Sequence, residues 1–483
     1  MIFNSVDFAI FFAVFFLLYW FVFNRSLKIQ NVLILAGSYA FYAWGDWRFL
    51  PLLIFGSGVN YALGIGLERS ARPKIRLLLL WLGLLQGLGG LIYFKYTNFF
   101  LASITGAFSF FHIPLRAHPV RLILPLGISF YTFRTLSYLL DIYKGKFKAT
   151  TDWVAFFSYV SFFPSLISGP IDRPKTLIPQ LQKRRVFDSD QAIDGMRQIL
   201  WGLFKKAVIA DNCATFTSQI FGNYQGQSAS TLLLGAFLYT IQIYADFSGY
   251  SDMAIGTARL LGFSITKNFD FPFFSQNIAE YWRKWHISLT SWLTEYVFTP
   301  LSIAFRDYGK RGIILAILIN FTLIGMWHGA NWTFVLFGFL HGCYFIPLIL
   351  RGTMSKRKEI ARDNLLPSLR EFSNMLGTFI LVMLTLILFR SDSILDAYRY
   401  FKGLFSLSLF SIPALALEFK AGYTLFFIFL MLLTEWLNRG REYAISHLGL
   451  RWPIAFRWTA YYALLVIIFV FAGSSRNFIY FQF

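Results

Sequence analysis

Residues 312–350 read GIILAILINFTLIGMWHGANWTFVLFGFLHGCYFIPLIL and contain no Asp, Glu, Lys or Arg. One membrane crossing takes about 20 apolar residues, so this stretch is long enough for two. The tripeptide GAN at 329–331 offers a turn near its middle. Basic residues precede the stretch at 310–311, and Arg351 follows it, so both of its ends are expected in the cytoplasm. The sequence therefore predicts a helical hairpin.

His328 lies directly before the predicted turn. A helix from Gly312 to His328 rises about 24 Å, which places the imidazole far from the cytoplasmic rim. Loss of hydration at that depth favours the neutral ring, which can accept a proton. An ionisable side chain inside a membrane is a functional candidate. The structural alternative is a histidine that is hydrogen-bonded to a neighbouring helix.

The composition of the whole chain is typical of a polytopic membrane protein. Hydrophobic residues make up 57% of the chain and charged residues only 14%. Weaker apolar spans lie near 122–140 and 421–434. Further uncharged runs of roughly crossing length lie at 8–24, 29–45, 49–67, 77–94, 153–171, 212–245, 372–389 and 458–475. Together these segments predict an all-α fold with about eleven or twelve crossings.

The net charge of +20 does not indicate nucleic-acid binding, because the basic residues cluster in short loops between apolar runs. This distribution is the positive-inside pattern of membrane proteins. The start of the chain, MIFNSVD, lacks a basic segment, so we expect a retained first helix with its start outside the cytoplasm. The clustered basic residues are Arg25, Lys28, Arg69, Arg72, Lys74, Arg76, Arg351, Lys356, Arg357, Lys358, Arg362, Arg439 and Arg441.

The run at 153–171 does not fit this alternation, because basic residues flank it on both sides, at 144–148 and 173–185. Pro164 and the pair Gly169–Pro170 also interrupt it. We predict a re-entrant or broken element. Such backbone is tolerated at depth only against protein or a water-filled cavity. An ordinary span with one misassigned loop is the alternative.

The segment EYWRKWHISLTSWL, residues 280–293, predicts a helix that lies in the cytoplasmic interface. Its aromatic rings would lie at headgroup depth. Arg283 and Lys284 point away from these rings, toward anionic lipid or an anionic ligand. One stripe of this helix would carry Trp282, Trp285, His286 and Leu289.

The segment YADFSGYSDMAIG, residues 244–256, ends a long uncharged run with a group of polar side chains. Two carboxylates and several hydroxyls at a membrane boundary indicate a polar cavity lining or a supporting hydrogen-bond network. An ordinary helix cap is the alternative. The polar side chains are Asp246, Ser248, Tyr250, Ser251 and Asp252.

These segments, taken in order, resemble the membrane-bound O-acyltransferase family, in particular the bacterial branch that includes the membrane component of alginate O-acetylation. The similarity runs nearly from end to end, from MIFNS to RNFIYFQF. Arg134 stands where the alginate enzyme is expected to carry an acidic residue. The segments are LPLGISFYTFRTLSYLLDIYKG (124–145), ISGPIDRPKTLIPQL (167–181), GLFKKAVIAD (202–211), YADFSGYSDMAIG (244–256), NIAEYWRKWHISLTSWL (277–293) and MWHGAN (326–331).

The resemblance implies one membrane domain, residues 1–483, in the bacterial cytoplasmic membrane. N-terminal helices (1–120), a catalytic core (121–350) and C-terminal helices (351–483) would surround a central funnel. A cytoplasmic acyl thioester and an extracytoplasmic acceptor would meet in that funnel. The expected donor is acetyl-coenzyme A, and no metal is expected.

The resemblance also implies roles for individual residues. His328 corresponds to the invariant histidine of the family and would be the general base. His286 would orient or polarise the donor carbonyl, and Asn331 would donate to the developing oxyanion. Supporting positions would be Asp246, Ser248, Trp327 and Trp285. Cations that could hold the donor phosphates are Arg283, Lys284, Lys205 and Lys206, with simple positive-inside bias as the alternative for each of them.

Several alternatives stay open. Cys343 follows His341 by two residues and could carry a covalent acyl group, but nothing marks it as an activated thiolate. Buried histidines could also serve a solute or polysaccharide transporter as a proton relay. A D-alanyl transferase would differ in using a carrier protein as donor. The acceptor would be a secreted polysaccharide or cell-wall glycan, reached through a separate extracytoplasmic acetyltransferase of the SGNH type.

Overall fold

The computed structural model describes residues 1–113, 115, 118–355, 360–361, 364–414, 418–450, 452–474, 476 and 478–479. Every regular element in these ranges is helical, which confirms the predicted all-α class. The predicted cytoplasmic basic residues Lys356, Arg357, Lys358 and Arg362 lie outside the described residues, as do residues 480–483 of the closing motif.

The helices follow one another along the chain. Three of them continue into π-helical turns, at Leu18–Val22, Phe204–Ala210 and Thr294–Phe298. The α-helices of the described residues are α1 Val6–Leu17, α2 Leu27–Asp46, α3 Leu50–Arg69, α4 Pro73–Phe110, α5 Ile128–Tyr143, α6 Trp153–Ser161, α7 Phe163–Leu166, α8 Pro174–Leu181, α9 Ser189–Leu203, α10 Asp211–Gly222, α11 Ala229–Leu260, α12 Ile278–Lys284, α13 Ile287–Leu293, α14 Thr299–Ala304, α15 Gly309–His328, α16 Trp332–Leu350, α17 Leu369–Arg390, α18 Ile394–Leu404, α19 Phe419–Leu437 and α20 Ile454–Phe471.

Local sequence sets many of the helix starts. A serine or aspartate at the N-cap accepts a hydrogen bond from a backbone N–H of the first turn, which those groups need because they have no partner inside the helix. At α17, Glu371 also reaches back to the backbone of Ser368 and completes a capping box. The capping residues include Ser5, Ser26, Asp152, Ser368 and Ser393.

Seven helical segments of the described residues are long and apolar enough to cross a membrane. The first of them contains both α2 and α3, and the shorter apolar helix Val6–Val22 precedes it. The predicted multi-pass architecture is therefore confirmed, while the total of about eleven or twelve crossings stays a prediction. The seven segments are Leu27–Arg69, Pro73–Phe110, Arg306–His328, Trp332–Leu350, Leu369–Arg390, Phe419–Leu437 and Ile454–Phe471.

The chain forms two compact units, and the predicted division at residues 120 and 350 stays a prediction. The first unit contains residues 1–196 and 254–266, and the second contains residues 197–253 and 267–483. The assignment of all 483 residues to one functional domain stays a prediction. Every residue predicted for catalysis or donor binding lies in the second unit.

The first unit contains the broken element predicted at 153–171. Helix α6 ends at Ser161, Phe162 leaves the helical conformation (φ −52°, ψ 104°), and α7 begins directly after it with Pro164 in its first turn. Neither helix is long enough to cross a membrane. The predicted break is therefore confirmed. The side of the membrane to which the chain returns stays a prediction.

Arg134 of α5 supplies the hydrogen bonds that this break requires. The guanidinium is fully buried and donates to the carbonyl oxygens of Tyr159 and Val160, both at 3.2 Å, and of Ser165, at 2.9 Å. Carbonyls at a helix end lack intrahelical partners, so buried ones need a donor from elsewhere. The Asp172 carboxylate, 3.9 Å away, balances the charge. The unusual arginine of the sequence thus holds the broken element in place.

The second unit contains the predicted hairpin, formed by α15 and α16. Gly329 is extended (φ −163°, ψ 156°) and ends α15 after His328, and α16 begins at Trp332. The two helices approach closely because glycines face each other. A Cβ atom on Gly338 would overlap the carbonyl oxygen of Phe321, and one on Gly325 would overlap that of Phe334. Small residues at such crossings are typical of membrane helix pairs. The hairpin prediction is confirmed.

Candidate active site

His286 lies in a sharp break between α12 and α13. Its backbone is left-handed (φ 45°, ψ 51°), a conformation that is uncommon for residues other than glycine. Trp285, just before it, is extended. The prediction of one continuous helix through residues 280–293 is therefore wrong at these two residues. Strained backbone of this kind persists only where the surrounding structure enforces it, and it is frequent at functional sites.

The His286 side chain is completely buried in the second unit. Its Nδ1 atom lies 3.1 Å from Oδ1 of Asn268. The ring meets Phe247 of α11 at a centroid distance of 4.6 Å and Trp327 of α15 at 5.5 Å, both in edge-to-face geometry. Burial lowers the pKa of His286 below its ordinary value, because the charged ring loses hydration. The neutral imidazole is therefore favoured.

His328 is the last residue of α15, and only 3% of its surface is exposed. Its ring centroid lies 5.0 Å from that of Trp327 and 5.0 Å from that of Phe389 of α17. Trp327 thus contacts both His286 and His328. The two histidines that the sequence singled out therefore share one neighbour, the indole ring of Trp327.

Trp285 and Asn331, also predicted for the site, make other contacts. Trp285 stacks on Tyr281, with ring centroids 5.5 Å apart. The Asn331 side chain caps α16 by accepting from the backbone N–H of Thr333 at 3.1 Å, and it donates to the carbonyl oxygen of Asp392 at 2.8 Å. Both ends of the Asn331 amide are therefore engaged in structural hydrogen bonds.

Lys205 and Lys206 lie in the π-helical turn after α9, and both are buried. The Lys205 ammonium lies 2.6 Å from Asp252 and donates a hydrogen bond to Oγ of Ser248 at 2.9 Å. The Lys206 ammonium lies 2.9 Å from Asp246. The structure thus pairs both predicted donor-binding lysines with carboxylates of α11, and it places Asp246 and Ser248 in the same buried network.

Asp246 also holds the C-terminal segment of the chain. Its Oδ2 atom accepts a hydrogen bond from the backbone N–H of Ile479 at 2.7 Å. The neighbouring Phe247 packs against Phe478, with ring centroids 5.7 Å apart, and against His286. The YADFSGYSD motif therefore connects the buried charges, the C-terminal segment and one of the histidines.

A cavity of about 1390 Å³ opens beside α12 and α13. It exceeds the roughly 300–1,000 Å³ of common ligand pockets, so it has room for a large donor. Ile287, the residue after His286, forms part of its wall. The described lining also includes the hydroxyls of Thr290, Ser291, Thr294 and Thr299 and the apolar side chains of Phe271, Phe274, Trp282 and Leu437.

Two of the four predicted donor-binding cations, Arg283 and Lys284, line this cavity. The Lys284 ammonium lies 2.8 Å from Glu280, and Arg283 donates to the carbonyl oxygen of Met354 at 3.1 Å. Opposite charges are balanced among the described lining residues, so the cavity is polar without a strong excess of either sign. The charged residues are the bases Arg283, Lys284 and Arg439 and the acids Asp270, Glu280 and Glu295.

Three residues that support the site could not be assigned to it from the sequence. Asn268, the partner of His286, lies outside every motif quoted above. In the sequence, His341 attracts attention only as a neighbour of Cys343. In the structure it is fully buried, its Nδ1 atom accepts a hydrogen bond from Nε1 of Trp282 at 3.1 Å, and its Nε2 atom lies 3.0 Å from Oγ1 of Thr385. Phe389 contacts His328 from a helix that is distant in sequence. Only the fold makes these three residues neighbours of the motifs.

Comparison with known proteins identifies the class of this molecule. The family model of the membrane-bound O-acyltransferases matches residues 147–387. The chain is 35% identical over 412 residues to the probable alginate O-acetylase AlgI of Azotobacter vinelandii, in an alignment that covers 84% of this chain and 78% of that protein. The chain therefore belongs to the membrane-bound O-acyltransferase family.

Two further relatives act on different acceptors. The peptidoglycan O-acetyltransferase of Helicobacter pylori is 30% identical over 447 residues, which cover 86% of this chain and 78% of that protein. The teichoic acid D-alanyltransferase of Streptococcus thermophilus is 30% identical over 294 residues, which cover 55% and 68%. The protein is thus a multi-pass membrane O-acyltransferase, as predicted, and a transporter is not favoured.

Proposed function

We propose that this protein transfers an acetyl group from cytoplasmic acetyl-coenzyme A toward O-acetylation of an extracytoplasmic polysaccharide or cell-wall glycan, in the cytoplasmic membrane of a bacterium. The observation that carries the proposal is the pair of buried histidines, His286 and His328, whose rings both contact Trp327. Relatives named for alginate and peptidoglycan O-acetylation support the choice of acetyl group and glycan.

We assign the role of general base to His328. An acceptor hydroxyl oxygen attacks the thioester carbonyl carbon, and the hydroxyl proton passes to the neutral imidazole. The C–S bond then breaks, and the same proton goes to the departing sulfur, which leaves as a thiol. The ring returns to its neutral form, so the histidine acts catalytically. Asn331 could stabilise the oxyanion only if its side-chain amide broke its hydrogen bond to the carbonyl oxygen of Asp392.

We assign the donor to the cavity beside α12 and α13. Its volume suits a thioester with a large carrier group, and Arg283 and Lys284 are two of the lining cations that can meet phosphates there. To bind a phosphate, the Lys284 ammonium must give up its ion pair with Glu280. Lys205 and Lys206 are not part of this assignment, because buried carboxylates already neutralise them.

A carrier-bound D-alanyl donor is the second candidate, supported by the similarity to the teichoic acid D-alanyltransferase. Purified protein that transfers acetyl from acetyl-coenzyme A without any carrier protein would decide for acetylation. Transfer that appears only after a loaded carrier is added would decide for the second candidate.

We also propose that a separate extracytoplasmic acetyltransferase of the SGNH type passes the acetyl group to the polymer. The regular elements of the described residues are all helices that belong to the two units of the fold, so this part of the chain offers no separate polymer-binding domain. Liposomes that contain only this protein should therefore acetylate the polymer slowly. Full-rate acetylation of the polymer without a second protein would contradict this part of the proposal.

The central test exchanges His328 for alanine. We expect acetyl transfer per folded molecule to fall by about 10²–10⁴-fold, the usual cost of losing a positioned base. Binding of the donor from the cytoplasmic side should persist, because His328 is not among the residues that line the cavity. His447→Ala, at an exposed histidine, is the control. Near-normal turnover in folded His328→Ala protein would exclude the assignment.

A further inference from the structure

Asn268 holds the loop of His286 through its backbone and through its side chain. The Asn268 carbonyl oxygen accepts from the N–H of Ile287 at 2.8 Å, which fixes the residue beside the break between α12 and α13. The side chain is completely buried. Its Oδ1 atom faces Nδ1 of His286 at 3.1 Å, and it also accepts from Oγ of Ser288 at 2.8 Å.

The orientation of the Asn268 amide follows from its neighbours. The backbone N–H of Ser288 lies 3.3 Å from the same Oδ1 atom, and a backbone N–H can only donate. The atom that faces Ser288 must therefore be the oxygen. The amide nitrogen points the other way and donates to Oγ of Ser251 at 3.2 Å. Both ends of the amide agree with this single orientation.

This orientation determines which nitrogen of His286 carries the proton. Because Oδ1 of Asn268 is an acceptor, Nδ1 of His286 must be the donor in their hydrogen bond. In the neutral ring only one nitrogen carries hydrogen, so Nε2 holds the lone pair. The sequence-based role for His286, polarisation of the donor carbonyl, needs an N–H at the reacting groups. The neutral ring cannot supply one through Nε2.

We propose that Asn268 is a positioning residue that fixes His286 as the Nδ1–H tautomer and presents Nε2 as a hydrogen-bond acceptor. The tautomer follows from the geometry alone, whereas its effect on turnover rests on the proposed acyl transfer. His286 then accepts a hydrogen bond or proton from a reacting group instead of polarising the carbonyl. Oδ1 of Asn268 also stabilises the ring if it becomes charged, because Nδ1–H donates to it in both states.

The kinetic test compares Asn268→Leu with Asn268→Asp. The leucine removes the acceptor, and turnover per folded molecule should fall roughly 10–100-fold, as when partners of metal-bound histidines are removed. The KM for acetyl-coenzyme A should change little, because Asn268 is not among the cavity-lining residues. The aspartate keeps an acceptor and adds a negative charge. It should restore part of the turnover and move the ionisation seen in the pH profile to higher pH.

Ser251→Ala is the matched control, since it removes a hydrogen bond from the far end of the Asn268 amide and leaves the His286 contact. Its loss of turnover should be much smaller than that of Asn268→Leu. Equal turnover per folded molecule in wild type and Asn268→Leu would overturn the proposal. An Asn268→Asp pH profile identical to that of wild type would also overturn it.

A second measurement is independent of activity. Nitrogen-15 NMR of histidine-labelled protein distinguishes a protonated from an unprotonated ring nitrogen, and His286→Gln assigns the signal by deleting it. We expect a protonated Nδ1 and an unprotonated Nε2 in the wild type. The opposite tautomer would overturn the proposal even if every variant were inactive. A failure of acetyl transfer with the expected tautomer would count against the proposed function alone.

Discussion

Exchange of Lys206 for methionine separates a structural role from the donor-binding role that the sequence predicts. The Lys206 ammonium lies 2.8 Å from Asp211 and 2.9 Å from Asp246, and it donates to the carbonyl oxygen of Arg476 at 3.1 Å. Only 4% of the side chain is exposed. Methionine fills a similar volume but removes the single cation between two carboxylates.

The expected loss of stability follows from this geometry. Removal of one partner from a buried ion pair costs about 3–5 kcal/mol, because the remaining charge stays buried without compensation. Lys206→Met leaves two such carboxylates, so we expect a loss at or above that range. Asp246→Asn leaves Lys206 paired with Asp211 and should cost about 1–3 kcal/mol, the price of a disturbed buried hydrogen bond.

The assay is unfolding of the detergent-solubilised variants, together with the KM for acetyl-coenzyme A. Lys206→Met should unfold much more readily than Asp246→Asn, and the double variant should recover part of the loss because one buried carboxylate is gone. The donor KM of the folded fraction should stay near that of wild type. A Lys206→Met protein of normal stability with a strongly raised donor KM would refute the structural role.

Two further exchanges test the parts of the fold that were predicted best. Arg134→Met should lower the free energy of unfolding by about 3–5 kcal/mol, because it leaves Asp172 buried and uncompensated. Addition of Asp172→Asn should restore part of that stability. Equal stability of Arg134→Met and wild type would contradict the role of Arg134. Gly338→Val should lower the melting temperature, because the added side chain forces α15 and α16 apart. Gly377→Val is the control and should not lower it, because Gly377 has open space around it. Similar melting temperatures of the two variants would argue against the close helix contact.

Hydropathy and charge predicted the membrane helices and the hairpin because both signals are local. The charge-free stretch at 312–350 had to bury its backbone in helices, and its turn had to fall near Gly329. Pro164 and the basic flanks on both sides also favoured a break within 153–171, and the structure places that break after Ser161. Such features depend on a single segment and its neighbours in sequence.

The partners of individual polar residues could not be predicted in the same way. Lys205 and Lys206 carry the same local signal as any cytoplasmic lysine, yet tertiary packing pairs them with carboxylates of α11. The aromatic stripe through His286 favoured a continuous helix, whereas contacts from residues distant in sequence, such as Asn268, hold the turn that the chain makes there. Burial and pairing depend on which helices meet, and one sequence does not specify that.

Two consecutive residues of α11 link the buried charges to the histidine site by direct contacts. Asp246 meets Lys206 and the backbone N–H of Ile479, while Phe247 packs against His286. A change that releases Asp246 therefore also loosens the wall behind His286. Because that wall orients the ring and does not touch the donor cavity, the folded fraction of Lys206→Met should lose turnover while its donor KM is maintained. Loss of a supporting network is expected to lower turnover at an unchanged donor KM, whereas loss of a phosphate-binding residue is expected to raise the donor KM.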